Sequence, residues 1–124
     1  MGVVRTRVFC SSLLLKVEGA GYTACSRHSN GANGKGPLNV ILDVNGNIIG
    51  TTNTGGKGSE RTKQGTVFKY DGTLQDIYAF CSELNCADGR YPVGGVIQDA
   101  SGDLFGTTEQ GGSDHNGMIY ELSP

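Results

Sequence analysis

Two stretches of the sequence that nearly repeat each other decide the fold: LDVNGNIIGTTNTGG at 42–56 and QDASGDLFGTTEQGG at 98–112. They align without a gap at an offset of 56 residues, and seven of the fifteen positions are identical. Self-similarity of this kind indicates a tandem repeat of one structural unit. A residue that recurs with the repeat is expected to serve the fold of each unit. The recurring residues that we assign to this structural role are Asp43, Gly46, Gly50, Asp99, Gly102 and Gly106.

Each copy of the repeat divides into short strands separated by turn sequences. The first strand, LNVILD at 38–43, is rich in β-branched residues and precedes Asn45-Gly46, a pair typical of two-residue hairpin turns. Asp71-Gly72 marks a later turn in the same way. No window shows helical periodicity over three turns, so the sequence predicts an all-β fold. The predicted strands are 38–43, 47–52, 65–70 and 74–80 in the full copy and 94–99, 103–108 and 117–122 in the C-terminal copy.

A third, partial copy precedes these two, because residues 12–26 parallel residues 66–82. Antiparallel four-stranded units that recur every ~40–50 residues are typical of β-propeller blades. The chain holds about two and a half such blades, fewer than the four to eight of a closed propeller, so we predict a homo-oligomer. The predicted organisation is one repeat domain, 1–124, made of a partial repeat (1–36), a full repeat (37–91) and a C-terminal partial repeat (92–124).

Composition excludes several classes of protein. Glycine supplies 21 of the 124 residues, which indicates many tight turns rather than a few long helices. The formal net charge is −2 with both signs interspersed, so the basic face of a nucleic-acid-binding protein is not predicted. No apolar run approaches the ~20 residues of a membrane-spanning helix, and we predict no membrane span.

Four cysteines in so short a chain suggest disulfides if the protein is exported. Cys81 and Cys86 bracket a short segment that can close as a small loop, and Cys10 and Cys25 are the second predicted pair. The alternative is four reduced thiols in a cytosolic protein. We favour the disulfides and an extracellular or periplasmic location.

The N-terminal segment has two interpretations. Arg5 and Arg7 precede an apolar stretch, as in a signal peptide. Ser11, Ser12 and Lys16 interrupt that stretch, and no cleavage site of small residues follows clearly. A strand of the fold is therefore the preferred interpretation.

In three segments the chain resembles the GloVer tandem-repeat family of mostly secreted bacterial proteins. These are PVGGVIQDASGDLFGTTEQGG (92–112), GTVFKYDGTL (65–74) and IYAFCSELNCADGRYP (77–92). The resemblance covers about residues 12–124 and is weakest before residue 36. It implies a propeller-like repeat architecture and export. It implies no activity, since the family offers no catalytic motif to carry over.

Motifs that would carry chemistry are incomplete. The segments 43–47 and 99–103 place oxygen side chains at alternate positions, but glycine is fourth rather than sixth, unlike an EF-hand loop. Residues 30–36, NGANGKG, lack the Ser or Thr that follows the lysine of a phosphate-binding loop. His28 and His115 are too few for a zinc site. No cofactor, metal site or catalytic residue is predicted.

The sequence therefore predicts a non-catalytic β-repeat module of structural or interaction type, extracellular or in the cell envelope, and not an enzyme. The alternative is a lectin-like, carbohydrate-binding propeller that uses the variable loops 53–64 and 109–116, rich in Gly, Ser, Thr, Asn and Gln. A glycoside-active enzyme is a third possibility, because that activity depends on the distance between two carboxylates in space, which the sequence does not give. The expected partners are other copies of the chain and a glycan or a surface protein.

Overall fold

The computed structural model describes residues 34–56 and 63–124 in full, and residues 6–10 and 13–17 through their backbone. The two short ranges form an antiparallel hairpin of β1 (Thr6–Cys10) and β2 (Leu13–Val17). The rest of the described chain forms two four-stranded antiparallel sheets and a single 3-10 turn, Leu84–Cys86. The predicted all-β class is confirmed in this coarse form, and each sheet is open rather than closed.

The first sheet is a simple meander. Its strands are β3 (Lys35–Leu42), β4 (Ile48–Thr54), β5 (Thr66–Tyr70) and β6 (Leu74–Ala79), paired in that order. These are the four strands that the turn sequences predict, within three residues at each end. Gly46 and Gly72 both have positive φ, at 79° and 113°, which only glycine adopts without cost in such turns.

The second sheet is built around β9 (Leu104–Gln110). On one side β9 pairs with β10 (Met118–Leu122), and on the other with two short strands, β7 (Arg90–Pro92) and β8 (Ile97–Gln98). The predicted strand 94–99 is thus shorter than expected. The carbonyl of Gly94 instead accepts a hydrogen bond from the Thr51 hydroxyl, 2.5 Å away in the first sheet.

The pair β7 and β8 occupies the place of β3. Lys35 and Pro37 lie opposite Thr54 and Thr52, and Arg90 and Pro92 lie opposite the aligned residues Gln110 and Thr108. In β3 the register shifts between Pro37 and Val40, which is a bulge within a continuous strand. The stretch between β7 and β8 is one residue longer than its counterpart in β3, because three residues separate Pro92 from Val96 whereas two separate Pro37 from Val40. The longer irregularity splits the strand in two.

One apolar cluster joins the two sheets. Phe80 and Tyr120 meet edge to face across it, with ring centroids 4.9 Å apart. Burying a side chain of this size stabilises the fold by roughly 1.5–3 kcal/mol. The buried members of this shared core are Ile49, Val67 and Phe80 from the full repeat (37–91), called the first unit below, and Val96, Leu104 and Tyr120 from the C-terminal repeat (92–124), called the second unit.

Candidate functional site

The two recurring aspartates are held inside tight turns. Asp43 Oδ1 accepts hydrogen bonds from the backbone N–H groups of Asn45 and Asn47, both at 2.8 Å. Asp99 Oδ1 accepts the corresponding bonds from Ser101 (2.8 Å) and Asp103 (3.0 Å). Both carboxylates therefore organise a turn, which is the structural role that the recurrence favours over a calcium loop.

The electrostatics of Asp43 fit the same role. Its Oδ2 accepts a hydrogen bond from Asn47 Nδ2 at 2.9 Å, and this bond is the largest influence on the carboxyl group. Desolvation opposes it, but the two backbone N–H groups and Lys69, with Nζ 3.9 Å away, reinforce it and lower the pKa of Asp43. A carboxyl group that remains ionised in this way is poorly suited to act as a general acid at neutral pH.

The recurring strand glycines, Gly50 and Gly106, make room for aromatic rings. Each lies directly opposite an aromatic residue of the next strand, Phe68 and Tyr120 respectively. A Cβ on Gly50 would lie 2.7 Å from Phe68 Cζ, and one on Gly106 would lie 2.5 Å from Tyr120 Cζ. Their position inside a strand indicates close approach of a neighbouring backbone, but the closest neighbour at both positions is a side chain.

Recurring threonines close the loop after each second strand. Thr52 Oγ1 donates to the carbonyl of Thr54 (3.1 Å) and accepts from the N–H of Thr66 (3.1 Å). Thr108 Oγ1 donates to Gln110 (3.0 Å) and accepts from Met118 (3.2 Å) in the same manner. Sequence reasoning noticed that these threonines recur but assigned them no role. Their recurrence next to a glycine-rich loop was the signal that could have identified it.

Cys81 and Cys86 form a disulfide, as predicted, with their Cα atoms 4.0 Å apart. Both cysteines are buried, and both have positive φ, as does Asn85 between them. Three such residues in one short loop store backbone strain, which the cross-link helps to hold. The second predicted pair, Cys10 and Cys25, lies outside the described residues as a pair, because Cys25 is not among them.

Asp88 holds the first residues of the disulfide loop, Ser82 and Glu83, in place. Its carboxylate accepts hydrogen bonds from the Tyr78 hydroxyl (2.8 Å), the Ser82 N–H (2.9 Å) and hydroxyl (2.8 Å), and the Glu83 N–H (3.1 Å). Desolvation is the largest single influence and acts to raise the pKa of Asp88, but the hydrogen bonds together outweigh it and lower the pKa. Asp88 is thus an ionised anchor of this loop.

The disulfide loop is attached to the second unit. The carbonyl of Cys86 accepts hydrogen bonds from the N–H groups of Gly89 (2.9 Å) and Gly112 (3.0 Å). A Cβ on Gly111 would lie 2.7 Å from that carbonyl oxygen, so the turn can approach only because glycine stands there. The loop therefore fastens the connection between the sheets as well as closing on itself.

Some residues of the loops 53–64 and 109–116, the predicted carbohydrate-binding loops, make contacts that stabilise the fold. Asn53 donates its side-chain amide to the carbonyl of Pro92 at 3.1 Å. Parallel bridges join Gly55 to Gln64 and Gly111 to Asn116, which narrows both loops at their base. Only the tip of the second loop, residues 113–116, presents consecutive exposed polar side chains within the described part of loops 53–64 and 109–116.

Within the described ranges, no group of three or more His, Cys, Asp or Glu side chains could hold a metal ion. No helix in this part of the chain is long and apolar enough to cross a membrane. Comparisons with protein-family models, with curated proteins and with solved structures find no match to this chain. The resemblance to the GloVer family thus rests on the quoted motifs.

Proposed function

We propose that this chain is a non-catalytic, extracellular or cell-envelope module whose repeat units build a rigid interaction scaffold, arranged in a propeller-like manner. The observation that carries the proposal is that recurring polar residues make the same internal hydrogen bonds in both units. Asp43 and Asp99 each organise a turn, and Thr52 and Thr108 each close a loop. Residues repeated for the fold are not available as a unique catalytic pair.

Two further observations support the architecture and location in this proposal. The meander order of β3 to β6 is the strand order of a propeller blade. The Cys81–Cys86 disulfide is of the kind that persists in oxidising compartments, which supports export.

The test pairs stability with activity in three variants. Asp43→Asn and Asp99→Asn each weaken a turn, and we expect both to lower the melting temperature of the protein. Asp114→Asn is the matched control, since Asp114 is exposed at a loop tip, and it should leave the melting temperature unchanged. The unmodified chain and all three variants are then incubated with a panel of chromogenic glycosides. Hydrolysis by the unmodified chain that Asp43→Asn or Asp99→Asn abolishes would overturn the proposal.

A carbohydrate-binding module is the second candidate, and one observation favours it. Ser113, Asp114, His115 and Asn116 are exposed together at the tip of one loop, where hydroxyl, carboxylate, imidazole and amide groups can meet sugar hydroxyls. A glycan array tests it with the unmodified chain and with a variant in which Asp114 and Asn116 are both alanine. Binding that this variant loses would favour the lectin-like function over the scaffold.

A further inference from the structure

The two sheets pack through faces that are not equivalent. Residues opposite each other in register share a face of the sheet, so Ile49, Thr51 and Val67 mark the face of the first sheet that meets the core. In the second sheet, Leu104 and Tyr120 mark the core face. The alignment pairs these two residues with Ile48 and Phe68, which lie on the opposite face of the first sheet. The units are therefore stacked front to back.

This stacking leaves one apolar face exposed at each end of the pair. The first outer face contains Val40, Ile48 and Phe68, and the second outer face contains Ile97, Phe105 and Ile119. The pairing between neighbouring strands puts the three residues of each outer face on the same side of their sheet. Four exposed bulky apolar side chains lie on these two faces: Val40, Leu42, Ile97 and Ile119.

Burial changes sharply between aligned positions. Val96 is 2% exposed in the shared core, whereas its counterpart Val40 on the first outer face is 49% exposed. Val67 is fully buried, whereas its counterpart Ile119 on the second outer face is 77% exposed. Each outer face thus repeats the chemistry of a surface that is buried elsewhere in the same molecule.

We propose that the second outer face of one copy docks onto the first outer face of another copy of this chain, by the packing that already joins the two sheets within it. The partner is a second copy because the fitting surface for each outer face is present on the molecule itself. This inference names the partner of the interaction scaffold and rests on that proposed function. It assigns Val40 and Ile119 to a docking surface.

The second sheet also offers an unfilled edge. In the first sheet β5 lies between β4 and β6, whereas its counterpart β10 pairs with β9 and with no other strand in the described part of the chain. An open edge beside an apolar face invites pairing with another chain.

The contact is heterologous, because two different surfaces of the chain meet. A docked pair still has one free outer face of each kind, the first outer face on one copy and the second on the other. Such contacts produce rings when the rotation closes and open filaments when it does not. A two-fold dimer, in which one face meets itself, is the alternative geometry.

Sedimentation equilibrium over a micromolar concentration range tests the proposal with the full chain. The unmodified chain should associate, and Ile119→Lys and Val40→Lys should each weaken the association by about 100-fold or more, since each places a charge in an apolar contact. Val44→Lys is the matched control, because Val44 is 95% exposed in a turn and belongs to neither face. Leu42→Lys, also on the first outer face and 70% exposed, replaces Val40→Lys if the latter fails to fold.

A mixing experiment distinguishes the two geometries. Ile119→Lys keeps the first outer face intact, and Val40→Lys keeps the second, so each variant alone should be a monomer. Mixed in equal amounts, they should form a heterodimer with one intact contact that cannot extend further. Failure to form it would overturn the proposal, as would association of Val40→Lys alone at the unmodified strength.

These outcomes separate the inference from the proposed function. If the unmodified chain is a monomer at about 100 μM, the self-docking proposal is wrong, but the proposal of a non-catalytic scaffold is unaffected. Hydrolysis that depends on Asp43 or Asp99 overturns the scaffold, whatever the mass in solution.

Discussion

Replacement of Gly106 by alanine should destabilise this protein far more than a single methyl group normally does. The new Cβ would lie 2.5 Å from Tyr120 Cζ and 3.0 Å from Cε1, with the ring hydroxyl closer still. The ring has little room to retreat, because Tyr120 is buried and packs edge to face against Phe80. Overpacking of a well-filled core costs typically 1–3 kcal/mol, and we expect a loss of about 2 kcal/mol or more for Gly106→Ala. Gly106→Val should cost at least as much.

Two other glycines calibrate this expectation. Gly94 has no atom of the described residues within 4 Å of an added Cβ, so Gly94→Ala should change the free energy of unfolding by less than about 0.5 kcal/mol. Gly50→Ala should fall between the two, because its closest neighbours can move: Phe68 is only partly buried, and Val40 is exposed.

Urea unfolding followed by circular dichroism measures all three free energies under one set of conditions. A double-mutant cycle with Tyr120→Leu isolates the cause, since the cost of Gly106→Ala should shrink when the ring is gone. If Gly106→Ala unfolds at the same urea concentration as the unmodified chain, the recurring glycines are not needed to make room for the aromatic rings.

Three further predictions concern the disulfide loop and the shared core. Replacing Cys81 and Cys86 by serine should lower the free energy of unfolding by about 2 kcal/mol, the loop-closure estimate for so short a loop, and a urea midpoint equal to that of the oxidised protein would refute it. Tyr120→Phe should be neutral within about 0.5 kcal/mol, because the hydroxyl has no hydrogen-bond partner in the described part of the chain and the aligned residue is Phe68; a large loss in thermal melting would reveal a missed partner. Asp88 has a pKa lowered from 3.8 on folding, so its contribution to stability is complete above that value and is lost as the pH falls through the lower folded-state pKa; melting temperatures from pH 7 to pH 2 should therefore drop less for Asp88→Asn than for the unmodified chain, and parallel curves would contradict this.

Much of the fold could be predicted because turn chemistry is local. Gly46 and Gly102 sit in turns whose sequence alone demands positive φ, and the strands of the first sheet follow from the spacing between such turns. The Cys81–Cys86 bridge was accessible for the same reason, since only a short loop separates the two residues.

What the sequence did not reveal depends on packing between units. The strand before Asp99 is split where the Gly94 carbonyl accepts a hydrogen bond from Thr51 of the first sheet. The extra residue between Pro92 and Val96 is visible in the sequence, but that contact between the sheets is not. The ring that fills the space above Gly106 belongs to the next strand, across a loop, so the glycine indicates a close approach without showing which group approaches. Asp88 was missed because its partners Tyr78 and Ser82 come together only when the disulfide loop folds.

The shared core should make the two sheets unfold as one cooperative body, and amide hydrogen exchange measures whether they do. The central strands β5 and β9 lie in different sheets, and each contributes to the core through Val67 and Leu104. If the sheets unfold together, the slowest amides of β5 and β9 should exchange with the same free energy of opening, within about 1 kcal/mol, equal to that of global unfolding. Exchange in β9 that is faster by several orders of magnitude, while β5 stays protected, would show that the sheets open independently and would contradict the claim.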